Sequence, residues 1–187
     1  MPQNESAVFY QLYFQTPGVA EAELERDVRS TIRRLLFAAS GDSPRGTSDA
    51  NRDAVGMVPR SGGFLSYMPD PSSLPSWLTE ADIDFFAGEF TRSGFRGGLN
   101  WYRNIDRNWE LLAPFAGARV TVPALYIAGE RDLVVAFRRM DQLIANLRTF
   151  VPNLRRTLML AGCGHWTQQE RPQEVNAAMT DFLKTLS

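Results

Sequence analysis

His165 is the only histidine among the 187 residues. It stands in a glycine-flanked stretch, Gly162-Cys163-Gly164-His165-Trp166-Thr167-Gln168. An imidazole changes charge near neutrality and can take a proton from water or from a nucleophile, the work of a general base. Such a base needs a carboxylate that accepts from one ring nitrogen, fixes the tautomer and stabilises the imidazolium. Asp132, in Gly129-Glu130-Arg131-Asp132, is placed for that role because it also follows an apolar, strand-like run. The competing readings are an inert loop histidine and a solvated loop carboxylate. Acid before base, each in the loop after a strand, is the order that tells against them.

A nucleophile should precede both, in a Gly-x-nucleophile-x-Gly elbow. Of the 14 glycines, only Gly94 and Gly98 are four apart, and Arg96 is centred between them. No serine, cysteine or aspartate elbow occurs in the sequence, and a single histidine leaves none for a His-Gly oxyanion motif. Cys163 is too close to His165 along one loop for good attack geometry and reads as a small packed residue. It also lacks the second ligand pair that a Cys-plus-His metal site needs, so no metal is expected.

The elements that must position these residues follow from periodicity and punctuation. Val122–Ala128 is a continuous apolar run of strand type, with Pro123 near its start, where a missing donor matters least. Thr157–Ala161 is a second such run. A helix over Phe137–Phe150 separates them and another, Pro172–Leu186, closes the chain. Strand–helix–strand–helix predicts a βαβ unit with parallel strands. Upstream, Val28, Ile32, Leu35 and Leu36 recur at helical spacing within a helix expected over Val19–Ala39. Residues 40–76 are rich in Gly, Ser, Pro, Asp and Asn, longer than an ordinary connection and suited to a functional excursion or flap. A capped helix starts at Leu78-Thr79-Glu80-Ala81-Asp82, with Ile83, Phe85, Phe86 and Phe90 as its apolar face. Leu99 to about Ala113 is helical again. Two parallel strands do not make a stable sheet, so the earlier strands of a larger one are expected to lie outside these residues.

Composition excludes several classes. With 20 Lys and Arg against 21 Asp and Glu, the net charge is −1, which gives no reason to expect nucleic acid or an anionic membrane as partner. No apolar run reaches membrane-spanning length, and the N-terminus carries no signal-peptide pattern. One cysteine excludes an internal disulfide. These features predict a cytoplasmic protein.

Two aromatic stretches remain. Phe9-Tyr10-Gln11-Leu12-Tyr13-Phe14-Gln15-Thr16-Pro17-Gly18 and Gly94-Phe95-Arg96-Gly97-Gly98-Leu99-Asn100-Trp101-Tyr102-Arg103-Asn104 read, by themselves, as core aromatics. Spacing does not choose between Tyr10 and Tyr13. Together with the 129–132 and 162–168 loops, however, they resemble the soluble epoxide hydrolase family along essentially the whole chain. The tyrosine pair is the specific part, since related dehalogenases share the acid and base loops without it. The resemblance implies an α/β fold, the C-terminal part of an α/β-hydrolase preceded by a helical cap. Residues 1–114 would be the cap and 115–187 core. It implies a small-molecule epoxide as substrate, opened to a vicinal diol with no cofactor. Tyr10, selected over Tyr13, and Tyr102 would donate to the epoxide oxygen, and an aspartate would form an alkyl ester. His165, oriented by Asp132, would activate water to hydrolyse that ester, while Gln11, Phe14 and Trp166 would line the pocket.

In that family the nucleophile, the oxyanion hole and most core strands precede the cap, and these residues hold none of them. The expectation is a C-terminal portion, inactive alone. Its rivals are half of a split enzyme whose partner chain supplies the N-terminal half, and a non-catalytic truncated product. A haloalkane or haloacid dehalogenase is the runner-up chemistry.

Overall fold

The computed structural model describes residues 1–44 and 55–186. It divides into two compact units, one made of Met1–Ala38 with Gly56–Ala116 and the other of Ala39–Val55 with Gly117–Ser187.

In the first unit, β1 (Ala7–Phe9) leads directly into the short helix α1 (Tyr10–Tyr13). α2 (Val19–Leu24) and α3 (Val28–Ala39) follow where one helix is expected. The break is local chemistry: Asp27 Oδ1 accepts from Ser30 N at 3.0 Å, capping a new helix and stopping the old one. β2 (Met57–Pro59) pairs antiparallel with β1, in register from Ala7 opposite Pro59 to Phe9 opposite Met57. A 3-10 turn at Phe64–Tyr67 comes next. The stretch expected to be an irregular excursion thus carries a strand and a 3-10 turn, and its residues 45–54 lie outside the described ones.

α4 (Glu80–Ser93) begins as its capping signal predicts: Thr79 Oγ1 accepts from Asp82 N, and Asp82 Oδ2 accepts from Thr79 N at 2.9 Å. Ile83 is fully buried and Phe86 and Phe90 pack beside it, but Phe85 is 66% exposed. The correction is geometric, because Ile83, Phe86 and Phe90 share one helical stripe whereas Phe85 points nearly opposite. The helix expected from Leu99 is two, α5 (Arg96–Arg103) and α6 (Ile105–Leu111), joined at Asn104 and followed by a 3-10 turn at Ala113–Phe115. Val8, Phe14, Leu24, Ile32, Val58, Phe64, Ile83, Phe95 and Leu99 are among the buried residues of one continuous core.

Three carboxylates of one stretch tie this unit together. Glu21 pairs with Arg103, Glu23 accepts from Tyr13 Oη and from Phe64 and Leu65 N, and Glu25 accepts from Phe95 N. Charge-assisted hydrogen bonds of this kind are about twice as strong as neutral ones.

In the second unit, β3 (Ala124–Gly129) and β4 (Leu154–Leu160) run parallel, with Leu125 opposite Arg156 and Gly129 opposite Leu160. β4 starts earlier than its apolar run, taking in Arg155 and Arg156, whose side chains are exposed. The helix expected between the strands is again two, α7 (Met140–Ala145) and α8 (Leu147–Phe150). A short α9 (Thr167–Glu170) precedes the terminal α10 (Pro172–Lys184). The buried cluster is small: Leu160, Cys163 and Val175, with Ile127 and Leu158 beside them. Residues 39–41, expected with the first region, pack against the 162–170 stretch of this unit. Among the described residues no helix is long and apolar enough to cross a membrane.

Candidate active site

The acid and base loops meet because their strands are neighbours. Each loop leaves the carboxyl end of its strand, the edge at which open α/β sheets carry their sites. Glu130 N donates to Leu160 O at 3.0 Å and Arg131 N to Cys163 O at 2.8 Å, so one loop is laid on the other by backbone bonds. Gly129 permits that contact. A Cβ there would overlap the carbonyl oxygens of Gly164 and Cys163.

Asp132 is thereby brought under His165. The Nδ1–H of His165 donates to Asp132, 3.1 Å from each carboxylate oxygen. That contact selects the Nδ1–H tautomer and leaves Nε2 as the basic nitrogen. Asp132 also accepts from Val134 N at 2.8 Å, which fixes its own rotamer. Its side chain is 12% exposed and that of His165 41%, so the acid is shielded and the imidazole accessible. Trp166 stands edge-on to the imidazole, ring centroids 4.9 Å apart. Cys163 is fully buried, and burial followed by the nearby Glu170 charge pushes its thiol up to about 11. It stays a neutral thiol, as its packed position suggests.

The first unit gathers a different set. Tyr10 and Tyr102 lie in edge-to-face contact with ring centroids 5.6 Å apart. Phe14 supports both, at 5.7 Å from Tyr10 and 5.1 Å from Tyr102, and is itself 4% exposed. Gln11 Nε2 donates to Tyr10 Oη at 3.1 Å. Burial and the neighbouring Tyr10 hold the Tyr102 phenol above its ordinary pKa, so it remains a proton donor through neutrality. Tyr13 points elsewhere and gives its hydroxyl proton to Glu23 at 2.6 Å. The spacing that left Tyr10 and Tyr13 equivalent is thus resolved by partners: one phenol is spent on a structural carboxylate and the other stands beside Tyr102.

Nothing in the spacing signalled how residues so far apart in the chain are joined. Gln15 Nε2 donates to both Gln11 O and Tyr102 O, at 2.7 and 3.0 Å. Arg103 donates to Phe14 O and, in bidentate fashion, to Glu21 at 2.7 and 2.8 Å. Phe64, also missed, closes the aromatic cluster 4.8 Å from Phe14. Among the described residues no group of three His, Cys, Asp or Glu side chains could hold a metal ion.

Parallel strands with flanking helices and a carboxylate–histidine pair at their carboxyl ends define the class: the fold is that of part of an α/β-hydrolase. No protein-family model matches the chain. It is 46% identical to Epoxide hydrolase A of Mycobacterium tuberculosis (strain ATCC 25618 / H37Rv) over 179 residues, which are 95% of this chain and 52% of that protein. The crystal structure of Epoxide Hydrolase A from Mycobacterium thermoresistibile superposes with a TM-score of 0.82 at 47% identity, covering 96% of this chain and 53% of that one. Epoxide hydrolase I of potato (Solanum tuberosum) gives 0.79 at 33% identity, with 95% and 53% covered. The chain is a homologue of the epoxide hydrolases along nearly its whole length, and it spans about half the length of these relatives.

Proposed function

We propose that these residues supply the proton-handling part of an active site that hydrolyses a small-molecule epoxide to a vicinal diol, the first unit being its cap and the second part of its core. The supporting observation is that the tyrosines of two distant segments, Tyr10 and Tyr102, share one contact, in a chain whose Asp132 and His165 share another.

A carboxylate nucleophile, contributed by residues other than these 187, attacks an epoxide carbon and breaks its bond to the ring oxygen. The developing alkoxide takes a proton from Tyr10 or Tyr102 while the other phenol hydrogen-bonds to it. An alkyl ester results. Nε2 of His165 then removes a proton from water, and the hydroxide adds to the ester carbonyl carbon. Collapse of that adduct frees the carboxyl group and expels the diol as alkoxide; the imidazolium and carboxyl protons then pass to the alkoxide and to the tyrosinate, which restores the carboxylate, the neutral imidazole and the phenol. Asp132 stabilises the imidazolium that exists between these transfers. Gln11, on the Tyr10 hydroxyl, and Phe14 flank the phenols and Trp166 flanks the imidazole, so each would border the substrate beside the group it supports.

Turnover of a chromogenic aryl epoxide tests this. The 187-residue chain alone should form no diol beyond its His165→Gln variant. Joined to a segment carrying a Gly-x-Asp-x-Gly aspartate, it should form diol in a His165-dependent way. Diol from the chain alone would overturn the claim that the nucleophile comes from elsewhere. Diol from the joined protein that persists in His165→Gln would overturn the role of the base.

A further inference from the structure

Glu170 is a carboxylate with only 6% of its surface exposed, on the short helix just after the histidine loop. Burying such a group is costly unless hydrogen bonds satisfy it. Here it collects three backbone donors: Gly41 N at 2.9 Å and Gly164 N at 2.8 Å on Oε2, and Trp166 N at 3.0 Å on Oε1. Between the last two, His165 N donates to Ala39 O at 2.9 Å. Three consecutive peptide N–H groups, centred on the histidine, are therefore immobilised, two by Glu170 and one by the segment that Glu170 also grips.

We infer that Glu170 is a positioning residue for His165, clamping the base loop to residues 39–41 so that the imidazole stays in register with Asp132. The steric side of the junction agrees. A Cβ at Gly41 would overlap Gly162 O, and one at Gly164 would lie 2.6 Å from Ala39 O, so the two segments touch backbone to backbone. Only glycines permit an approach close enough for a single carboxylate oxygen to serve both. Other charges near the junction include Asp132, facing the imidazole, Arg131, which donates to Ser43 O, Asp42 beside Gly41, and Arg171 and Glu174 near Cys163. Glutamine cannot replace Glu170 fully. If its carbonyl oxygen serves Gly41 and Gly164, its amide meets the Trp166 donor head-on, and the flipped amide leaves the other two unsatisfied.

Because His165 is the sole histidine, its imidazole ¹⁵N resonances are unambiguous in the full chain. At a pH where the ring is neutral, the unsubstituted chain should show the Nδ1–H tautomer, and Gly41, Gly164 and Trp166 amides protected from exchange. Glu170→Gln should speed exchange of those amides about tenfold to a hundredfold. It should also move the two ring nitrogen shifts toward each other, as the tautomers mix. Gly41→Ala wedges the same junction with no change of charge and should give the same ring response. Asp132→Asn should disturb the tautomer while leaving the three amides protected, which separates pairing from clamping. Unchanged ring shifts in both junction variants would overturn the inference, as would surface-like exchange of the three amides in the unsubstituted chain. If Glu170→Gln does not fold, Glu170→Asp, with the charge kept and the reach shortened, decides by the same two readings. The inference rests on reading His165 as the base, but the two fail separately: the readout here is the ring and its loop, whereas the base reading stands or falls on diol formation.

Discussion

The two units hold their chemistry by different physics. In the first, the phenols of Tyr10 and Tyr102 stand on packed aromatic rings, and a continuous apolar core runs beneath them. In the second, few side chains are buried, and Asp132 and His165 are held by backbone hydrogen bonds and by glycines that let two loops touch. Its Val120, Val122, Phe150 and Leu183 remain exposed. A hydrogen-bond donor for an oxyanion needs a direction and a dry setting, which ring packing supplies. A proton shuttle needs a tautomer and a partner at hydrogen-bond distance, which only polar contacts define. The contrast matters for stability as well, because the first unit can lose a loop contact and keep its core whereas the second has little core to fall back on.

The sharpest break of that contrast is Asp132→Asn in the nucleophile-bearing enzyme. Ester hydrolysis should fall about 10⁴-fold, the scale of losing the correct tautomer. Alkyl-enzyme should then accumulate in a single turnover, since on the proposed mechanism the tyrosines still open the ring. Next comes Phe14→Ala, which empties the centre of the aromatic cluster and should cost about 3–5 kcal/mol of the first unit's stability. Chemical denaturation followed by near-UV circular dichroism reads the loss, and the His165 ring shifts should not move. Tyr102→Phe should slow ring opening about 10²–10³-fold, the scale of one oxyanion donor, with little change in denaturation midpoint. Pre-steady-state formation of the ester measures it, and an effect on ester hydrolysis alone would blur the division of labour. The smallest effect is on pH dependence. Hydrogen bonds from the Arg103 guanidinium hold the Glu21 carboxyl down at about 2, from an ordinary 4.5. A depressed carboxylate stabilises the fold above its unfolded value, and that share is lost as pH falls from about 4.5 through about 2. Glu21→Gln should flatten this acid limb in thermal melts of the first unit and leave the second unit's amide exchange unchanged.

Much of this organisation was legible in the residues. The apolar runs ending at Ala128 and Ala161 marked two strands, and parallel pairing followed from the helix between them. Thr79 and Asp82 announced the start of α4 because a capping box is a local device. Helix continuity was misread wherever one polar residue competed with a run, as Asp27 does between α2 and α3. Phe85 was assigned inward because clustering of aromatics hides the 100° step per residue that turns it outward.

Sequence by itself picked out the groups proposed to move protons, the loops that carry them and the alternation of strands with helices, because residue chemistry and periodicity are properties of short stretches. Spacing left Tyr10 and Tyr13 open and the family resemblance chose Tyr10; tertiary structure alone decided that its ring meets that of Tyr102 while Tyr13 turns to Glu23, that Phe14 supports both Tyr10 and Tyr102, and that Gly41 and Glu170 close on the histidine loop. The decisive ones, Tyr10 with Tyr102, Phe14 with Tyr102 and Gly41 with Glu170, join residues dozens of positions apart. Such partners are chosen by close packing and by the need to satisfy every buried polar group, and neither leaves a period or a spacing in the chain.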